Sequence, residues 1–173
     1  VNAFPLSGSM PFVLDWSSFN DYFERMAGYG IVRSMKDFYW DVRPKPEYGT
    51  VEIRVCDTPL SLERAVELGA YARTLAAAFL ADDSTPSADV YLTYSYNRFQ
   101  ACRFGLQGEI IGSDGKVASL SASILTMLSR LAPQAEQLGT QPQLDALAQR
   151  VIRSDCDADW LRRQYTETES YSH

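Results

Sequence analysis

Histidine is almost missing from this chain: its one copy among 173 residues is the last, His173. That rules out a histidine metal triad, a Ser-His-Asp relay and imidazole acid–base catalysis within these residues. Cysteine is scarce as well. Cys56, Cys102 and Cys156 are odd in number and widely spaced, and they form no CxxC pair. The pattern argues against a zinc site or a disulfide frame and reads as reduced thiols in a cytosolic protein. With no histidine near Cys56 or Cys102, thiol nucleophilic catalysis is disfavoured too. No apolar run approaches the ~20 residues a membrane span needs, and no signal peptide opens the chain. Positive charge is the minority, 16 Lys and Arg against 22 Asp and Glu, for a net charge of −6. Nonspecific binding to nucleic acid or to an acidic membrane is therefore disfavoured, while an anionic ligand in a locally basic pocket is not. Internal repeats and low-complexity tracts are also lacking.

What is present suits a globular protein. Hydrophobic residues make up 46% and charged residues 22%, and a chain of this length buries about 70% of its unfolded surface. The expectation is one domain over 1–173, sheet-forming to about residue 60 and helical beyond. The chain begins at Val1 and reaches Ser172-His173 with a helical pattern still running, so both ends read as cuts in a longer protein.

The central stretch is Gly49-Thr50-Val51-Glu52-Ile53-Arg54-Val55-Cys56-Asp57. As an extended strand it sends Val51, Ile53 and Val55 to one face and Thr50, Glu52, Arg54 and Cys56 to the other. Same-face neighbours lie roughly 6.5–7 Å apart, so Glu52 and Arg54 can address one polyanionic ligand together. Upstream, Val1–Leu14 reads as an ordered loop, and a helix is expected from Asp15 or Ser17 to about Ala27 with Phe19, Tyr22, Phe23 and Met26 on one face. Phe38–Arg43 reads as a strand, and 44–49, with two prolines, as the loop of a hairpin into the Glu52 strand.

Downstream, Ser61 caps a helix to about Leu80, its apolar face set by Leu62, Ala65, Val66, Gly69, Ala72, Leu75, Ala76 and Phe79. A second long helix covers Ala88 to Phe104, closed by Gly105. A hairpin or turn follows around Asp114-Gly115. The remaining helices are expected from about Ser119 to Leu138 with a break at Pro133, from Pro142 to Arg153, and from Asp157 onward. The expected fold is thus α+β, with one strong antiparallel hairpin and about five helices. A lone hairpin leaves both edges unpaired, so its other strands are expected from a missing segment or another chain.

Two readings of the Glu52 strand stand side by side. Glu52 and Arg54 are either a surface ion-pair row or part of a Mg²⁺–nucleotide site, where a hard oxygen ligand and a phosphate-neutralising arginine belong together. Asp41 and Arg43 form a second acid–base pair at the same spacing and would bring four charges to one face. Arg98 and Arg103 are either helix C-terminal cations or, with Asn97, contacts to a carboxylate or phosphate.

Three segments carry a resemblance: Trp40-Asp41-Val42-Arg43-Pro44; Gly49 to Val55 followed by Asp57-Thr58-Pro59; and Asn97-Arg98-Phe99-Gln100-Ala101-Cys102-Arg103-Phe104-Gly105-Leu106. In this order they resemble the bacterial carboxylate–amine ligases, the type 2 glutamate–cysteine ligases. The resemblance runs over nearly the whole chain and corresponds to the C-terminal half of a family member of usual length. It implies a glutamine-synthetase-like catalytic fold whose antiparallel sheet holds ATP and Mg²⁺. The implied reaction joins the side-chain carboxylate of L-glutamate to the amine of L-cysteine through an acyl phosphate. Glu52-Ile53-Arg54 matches the family's Glu-x-Arg, which implies metal ligation by Glu52 and phosphate contact by Arg54. Arg43, Asn97, Arg98 and Arg103 are placed as glutamate or phosphate contacts on charge alone. The family's N-terminal strands, with paired acidic metal ligands and a His-x-His segment, are absent from these residues. The expected partner is therefore the N-terminal half of the same protein, with a second copy of the chain as a further candidate, and the piece alone is expected to be inactive. A different amine or acid substrate, or a noncatalytic assembly role, are the rival readings.

Overall fold

The computed structural model describes residues 5–82, 84 and 87–168. The chain divides into two units: Val1–Asp57 with Thr85–Tyr94, and Thr58–Ser84 with Ser95–His173.

In the first unit, Asp15 accepts a hydrogen bond from the Ser18 amide (2.7 Å) and starts helix α1 (Trp16–Gly28). Such a cap satisfies an amide that the helix itself leaves orphaned. The expected face, Phe19, Tyr22, Phe23 and Met26, packs on Val32, Met35, Phe38 and Trp40. Phe38 and Trp40 stack with ring centroids 4.0 Å apart at the centre of this core. The expected loop over Val1–Leu14 contains a short strand instead. β1 (Ser7–Gly8) pairs in parallel with β2 (Tyr39–Trp40), and Val1–Phe4 lie outside the described residues.

The expected strand Phe38–Arg43 is interrupted at Asp41, because this residue serves two partners. Its amide donates to the Gly8 carbonyl (2.7 Å) and its carbonyl accepts from the Arg54 amide (2.7 Å). Beyond it, β3 (Val42–Lys45) pairs antiparallel with β4 (Thr50–Ile53), with Arg43 opposite Glu52 and Lys45 opposite Thr50. Pro44 and Lys45, expected in the loop, are strand residues. A proline is tolerated there because a two-stranded ribbon has an open outer edge that needs no donor. The connection shrinks to a 3-10 turn, Pro46–Tyr48, closed by Gly49 at φ 61°, where a residue with a Cβ would be strained. The hydrocarbon face of the ribbon stays open: Val51, Ile53 and Val55 are all exposed.

The second unit is helical apart from one hairpin. Ser61 caps α2 (Leu62–Leu80) by accepting from the Arg64 amide. α3 (Ala88–Phe104) has the expected bounds; its last residues, from Ser95, belong here. β5 (Glu109–Ile111) and β6 (Val117–Ser119) form a second antiparallel hairpin around Asp114-Gly115. The run expected over Ser119–Leu138 is two helices, α4 (Leu120–Arg130) and α5 (Ala132–Leu138), with Pro133 in the first turn of the latter. There proline's missing amide costs nothing. α6 (Gln141–Ile152) and α7 (Asp157–Thr168) complete it, making seven α-helices among the described residues.

The packed face of α2 differs from the expected one. Glu67 and Thr74 are buried, with Ala70, Tyr71, Leu75 and Ala78 beside them, against Leu128, Leu131, Ala135 and Leu144. Leu62, Val66 and Phe79 are exposed. Apolar residues surround α2 almost completely, so periodicity cannot choose a face; buried polar groups with partners can. Arg150 donates to both Glu67 oxygens (2.6 and 3.1 Å), and Asp155 joins Arg150 to Arg64 at 3.0 and 2.9 Å. The Thr74 hydroxyl donates to the Ala70 carbonyl (2.8 Å) and shares a 2.7 Å hydrogen bond with the Thr140 hydroxyl. Burial raises the Asp155 carboxyl, but the charge of Arg64 and the hydrogen bond from Arg150 outweigh it and hold the pKa below its ordinary value.

Truncating Leu144 to Ala should destabilise this 173-residue chain by about 2–5 kcal/mol, as loss of a fully buried leucine does. Val66→Ala, on the expected but exposed face, should change stability by less than about 0.5 kcal/mol. Urea unfolding of the two variants distinguishes the faces.

Candidate active site

Antiparallel pairing in the first unit sets Arg43 directly across from Glu52. Arg43 is 6% exposed, far below what an unpaired arginine tolerates, and its donors explain how. Nε and Nη2 converge on Glu52 Oε2 at 3.1 and 2.6 Å, while Nη1 faces the carbonyls of Phe38 (2.8 Å), Lys36 (3.2 Å) and Met35 (3.4 Å). Those carbonyls close the 3-10 turn Met35–Asp37. Only a planar guanidinium serves both directions at once; a lysine ammonium cannot.

Glu52 in turn holds Arg54. Its Oε1 accepts from Arg54 Nη1 at 2.8 Å, and Lys45 Nζ lies 3.9 Å from Oε2. Among the described residues, Arg54 Nε and Nη2 have no hydrogen-bond partner, and about a third of the Arg54 side chain is exposed (34%). Three cations around one carboxylate leave a surplus of two positive charges on this face. The cluster around Glu52 thus carries more positive than negative charge. The Arg43 hydrogen bond, opposed by burial and reinforced by Arg54, lowers the Glu52 pKa below its ordinary value, so the carboxylate is ionised at neutral pH.

The other expected contacts are placed differently. Asp41 is buried and accepts from the Tyr94 hydroxyl (2.7 Å) in the same unit, so it does not join the open charged face. Asn97, Arg98 and Arg103 belong to the second unit. The Asn97 amide brackets Ile111, donating to its carbonyl (2.9 Å) and accepting from its amide (2.8 Å), which anchors β5. Arg103 lies over the Phe104 ring at 5.6 Å, and Arg98 is half-buried. Lys45 and Tyr39, absent from the expected set, stand beside Arg54 and Glu52. Lys45 was legible: carrying the alternation Asp41, Arg43 one step past Pro44 reaches it. The same alternation carried one step back from Asp41 reaches Tyr39.

As for a metal, Glu52 offers hard oxygens, but both already receive guanidinium donors. Among the described residues no three Asp, Glu, His or Cys side chains gather where they could hold an ion. Since Mg²⁺ wants near-octahedral oxygen coordination, these residues do not make a magnesium site by themselves.

The model of the family described as "Glutamate-cysteine ligase family 2(GCS2)" matches residues 3–172. The chain belongs to this family. It is similar to "Putative glutamate--cysteine ligase 2" of Herminiimonas arsenicoxydans, with 58% identity over 174 residues, 99% of this chain and 47% of the relative. The proteins of that name from Chromobacterium violaceum and Laribacter hongkongensis are 55% and 54% identical over 99% and 98% of the chain. The chain thus spans about half the length of the curated relatives it matches. Cys56 and Cys102 are exposed, and no helix among the described residues is long and apolar enough to cross a membrane.

Because the folded pKa of Glu52 lies below its unfolded value of about 4.3, its contribution to stability is present above that pH and is lost as pH falls through the folded value. Glu52→Gln should therefore flatten the acid limb of the stability profile below about pH 4, as read by thermal unfolding against pH. Arg43→Lys should destabilise the first unit by about 1–3 kcal/mol at neutral pH, since buried carbonyls lose charged donors.

Proposed function

We propose that this chain is the C-terminal portion of an ATP- and Mg²⁺-dependent ligase that joins the γ-carboxylate of L-glutamate to the amine of L-cysteine, the reaction class that the name of its family carries. The observation that supports this reading best is the open Nε–Nη2 edge of Arg54. It is a planar pair of donors held by Glu52 on one side and free on the other, in a field of surplus positive charge. That edge suits two oxygens of one phosphoryl group.

In this reading the glutamate carboxylate oxygen takes the terminal phosphoryl group as ADP departs. The cysteine nitrogen then attacks the acyl carbon, loses a proton, and expels phosphate. Arg54 holds the transferring phosphoryl group, and Lys45 adds a second charge toward it. Glu52 keeps the Arg54 guanidinium in place and is the residue of this chain that would give Mg²⁺ an oxygen; when bound, the ion neutralises phosphate charge. Its other ligands, and the strands that complete the open β3–β4 ribbon, come from the N-terminal half of the protein in this proposal, so the chain alone is inactive. Arg98, Asn97 and Arg103 are proposed as outlying contacts to glutamate or phosphate, with Asn97 acting through the β5 strand that it anchors. The fold is proposed to be glutamine-synthetase-like, and the free thiols support a cytoplasmic location.

The test is phosphate release by the whole protein, dependent on glutamate and cysteine together. Arg54→Lys should lower turnover about 100-fold, the scale on which a single transition-state donor acts, while leaving the thermal midpoint nearly unchanged. Normal turnover in that variant removes Arg54 from the site. Phosphate release that needs glutamate with an amine other than cysteine replaces the acceptor and leaves the ligase chemistry standing.

A further inference from the structure

Arg54 is restrained by more than Glu52. Its guanidinium carbon lies over the ring of Tyr39, 5.8 Å from the centroid, within the reach of a cation–π contact. The backbone that carries the ring is fixed in a strand. Tyr39 is the first residue of β2, registered against Ser7, and its amide donates to the Leu6 carbonyl at 2.9 Å. The next residue, Trp40, is 3% exposed in the aromatic core, while Tyr39 is 48% exposed. Alternation along the strand therefore plants one ring in the core and turns the other outward beneath Arg54. Glu52 holds one edge of the guanidinium and Tyr39 supports its face. A single ion pair leaves an arginine free to swing about its remaining torsions; adding a face contact defines the plane as well as the point.

We propose that Tyr39 is a positioning residue for anion binding, a shelf that fixes the plane of the Arg54 guanidinium so that its open edge meets a phosphoryl group without first being ordered. The inference rests on the proposed function, since it assumes that Arg54 contacts nucleotide phosphate. Ordering a rotamer-rich side chain only on binding weakens affinity, and a preformed arrangement avoids that loss. The contact is electrostatic toward the ring face, so it depends on the ring's π-electron density and not on the phenol hydroxyl.

The experiment uses the full-length protein and reads the dissociation constant for ATP by calorimetry, with KM for ATP, kcat and the thermal midpoint measured alongside. Tyr39→Leu should weaken ATP binding about two- to fivefold, the range of a part-exposed cation–π contact, and raise KM more than it lowers kcat. Tyr39→Phe should bind ATP as the parent does. Replacing residue 39 by phenylalanines carrying one and then three ring fluorines preserves shape while withdrawing charge from the ring face. Affinity should fall stepwise along that series with the thermal midpoint constant, and this arm stands even where the leucine variant folds poorly. Equal affinity across the fluorinated series overturns the proposal, as does a Tyr39→Phe variant as weak as Tyr39→Leu. Arg54→Ala separates the two levels of the argument. If it weakens ATP binding while the Tyr39 series does not, the shelf alone is wrong; if it binds ATP normally, the assignment of Arg54 fails and the shelf with it.

Discussion

Everything on the charged face of the ribbon depends on one buried guanidinium. Arg43 turns inward from β3 and meets the carbonyls that close the turn Met35–Asp37, while its other nitrogens grip Glu52. Removing a charge from water is costly unless every donor finds an acceptor, and here the acceptors lie on two separate pieces of chain. The same bonds that make burial of Arg43 tolerable therefore tie the ribbon to the turn and fix the carboxylate on which Arg54 rests. Arg43, first expected among the residues touching a cofactor, has its donors engaged inside the protein, and the positive charge offered outward belongs to Arg54 and Lys45.

A similar principle orders the second unit. α2 is apolar on most of its circumference, yet the face it buries is the one bearing Glu67 and Thr74, because Arg150 and Thr140 are there to receive them. Hydrocarbon can be buried or left partly exposed at modest cost; an unpartnered carboxylate cannot be buried. Where hydrophobicity is nearly uniform, polar complementarity selects the orientation. Leu62, Val66 and Phe79 are left outside.

Several elements were legible because their causes are local. Asp15 and Ser61 announce helix starts through side chains that cap the next turn, and Gly105 and Gly49 sit where positive φ is needed. Strict alternation from Thr50 to Arg54 places Glu52 and Arg54 together without knowledge of any partner. The missed elements have nonlocal causes. β1 is two residues long and exists because Gly8 and Leu6 offer carbonyls to a distant strand. The break at Asp41 arises because its amide and carbonyl serve different neighbours. Neither leaves a trace in composition or periodicity.

Read alone, the amino-acid order determined the hairpin, the helix boundaries, the shared face of Glu52 and Arg54, and, through three long motifs, the family. These follow from side-chain alternation, capping chemistry and turn residues, which act over a few positions. Only the tertiary structure decided which cation is spent inside the protein and which is presented outward, and which side of α2 faces its neighbours. It also decided that Tyr39 lies beneath Arg54. Those outcomes depend on pairing between residues far apart or around a corner of the chain, where the winner is the arrangement that leaves no buried charge without a partner.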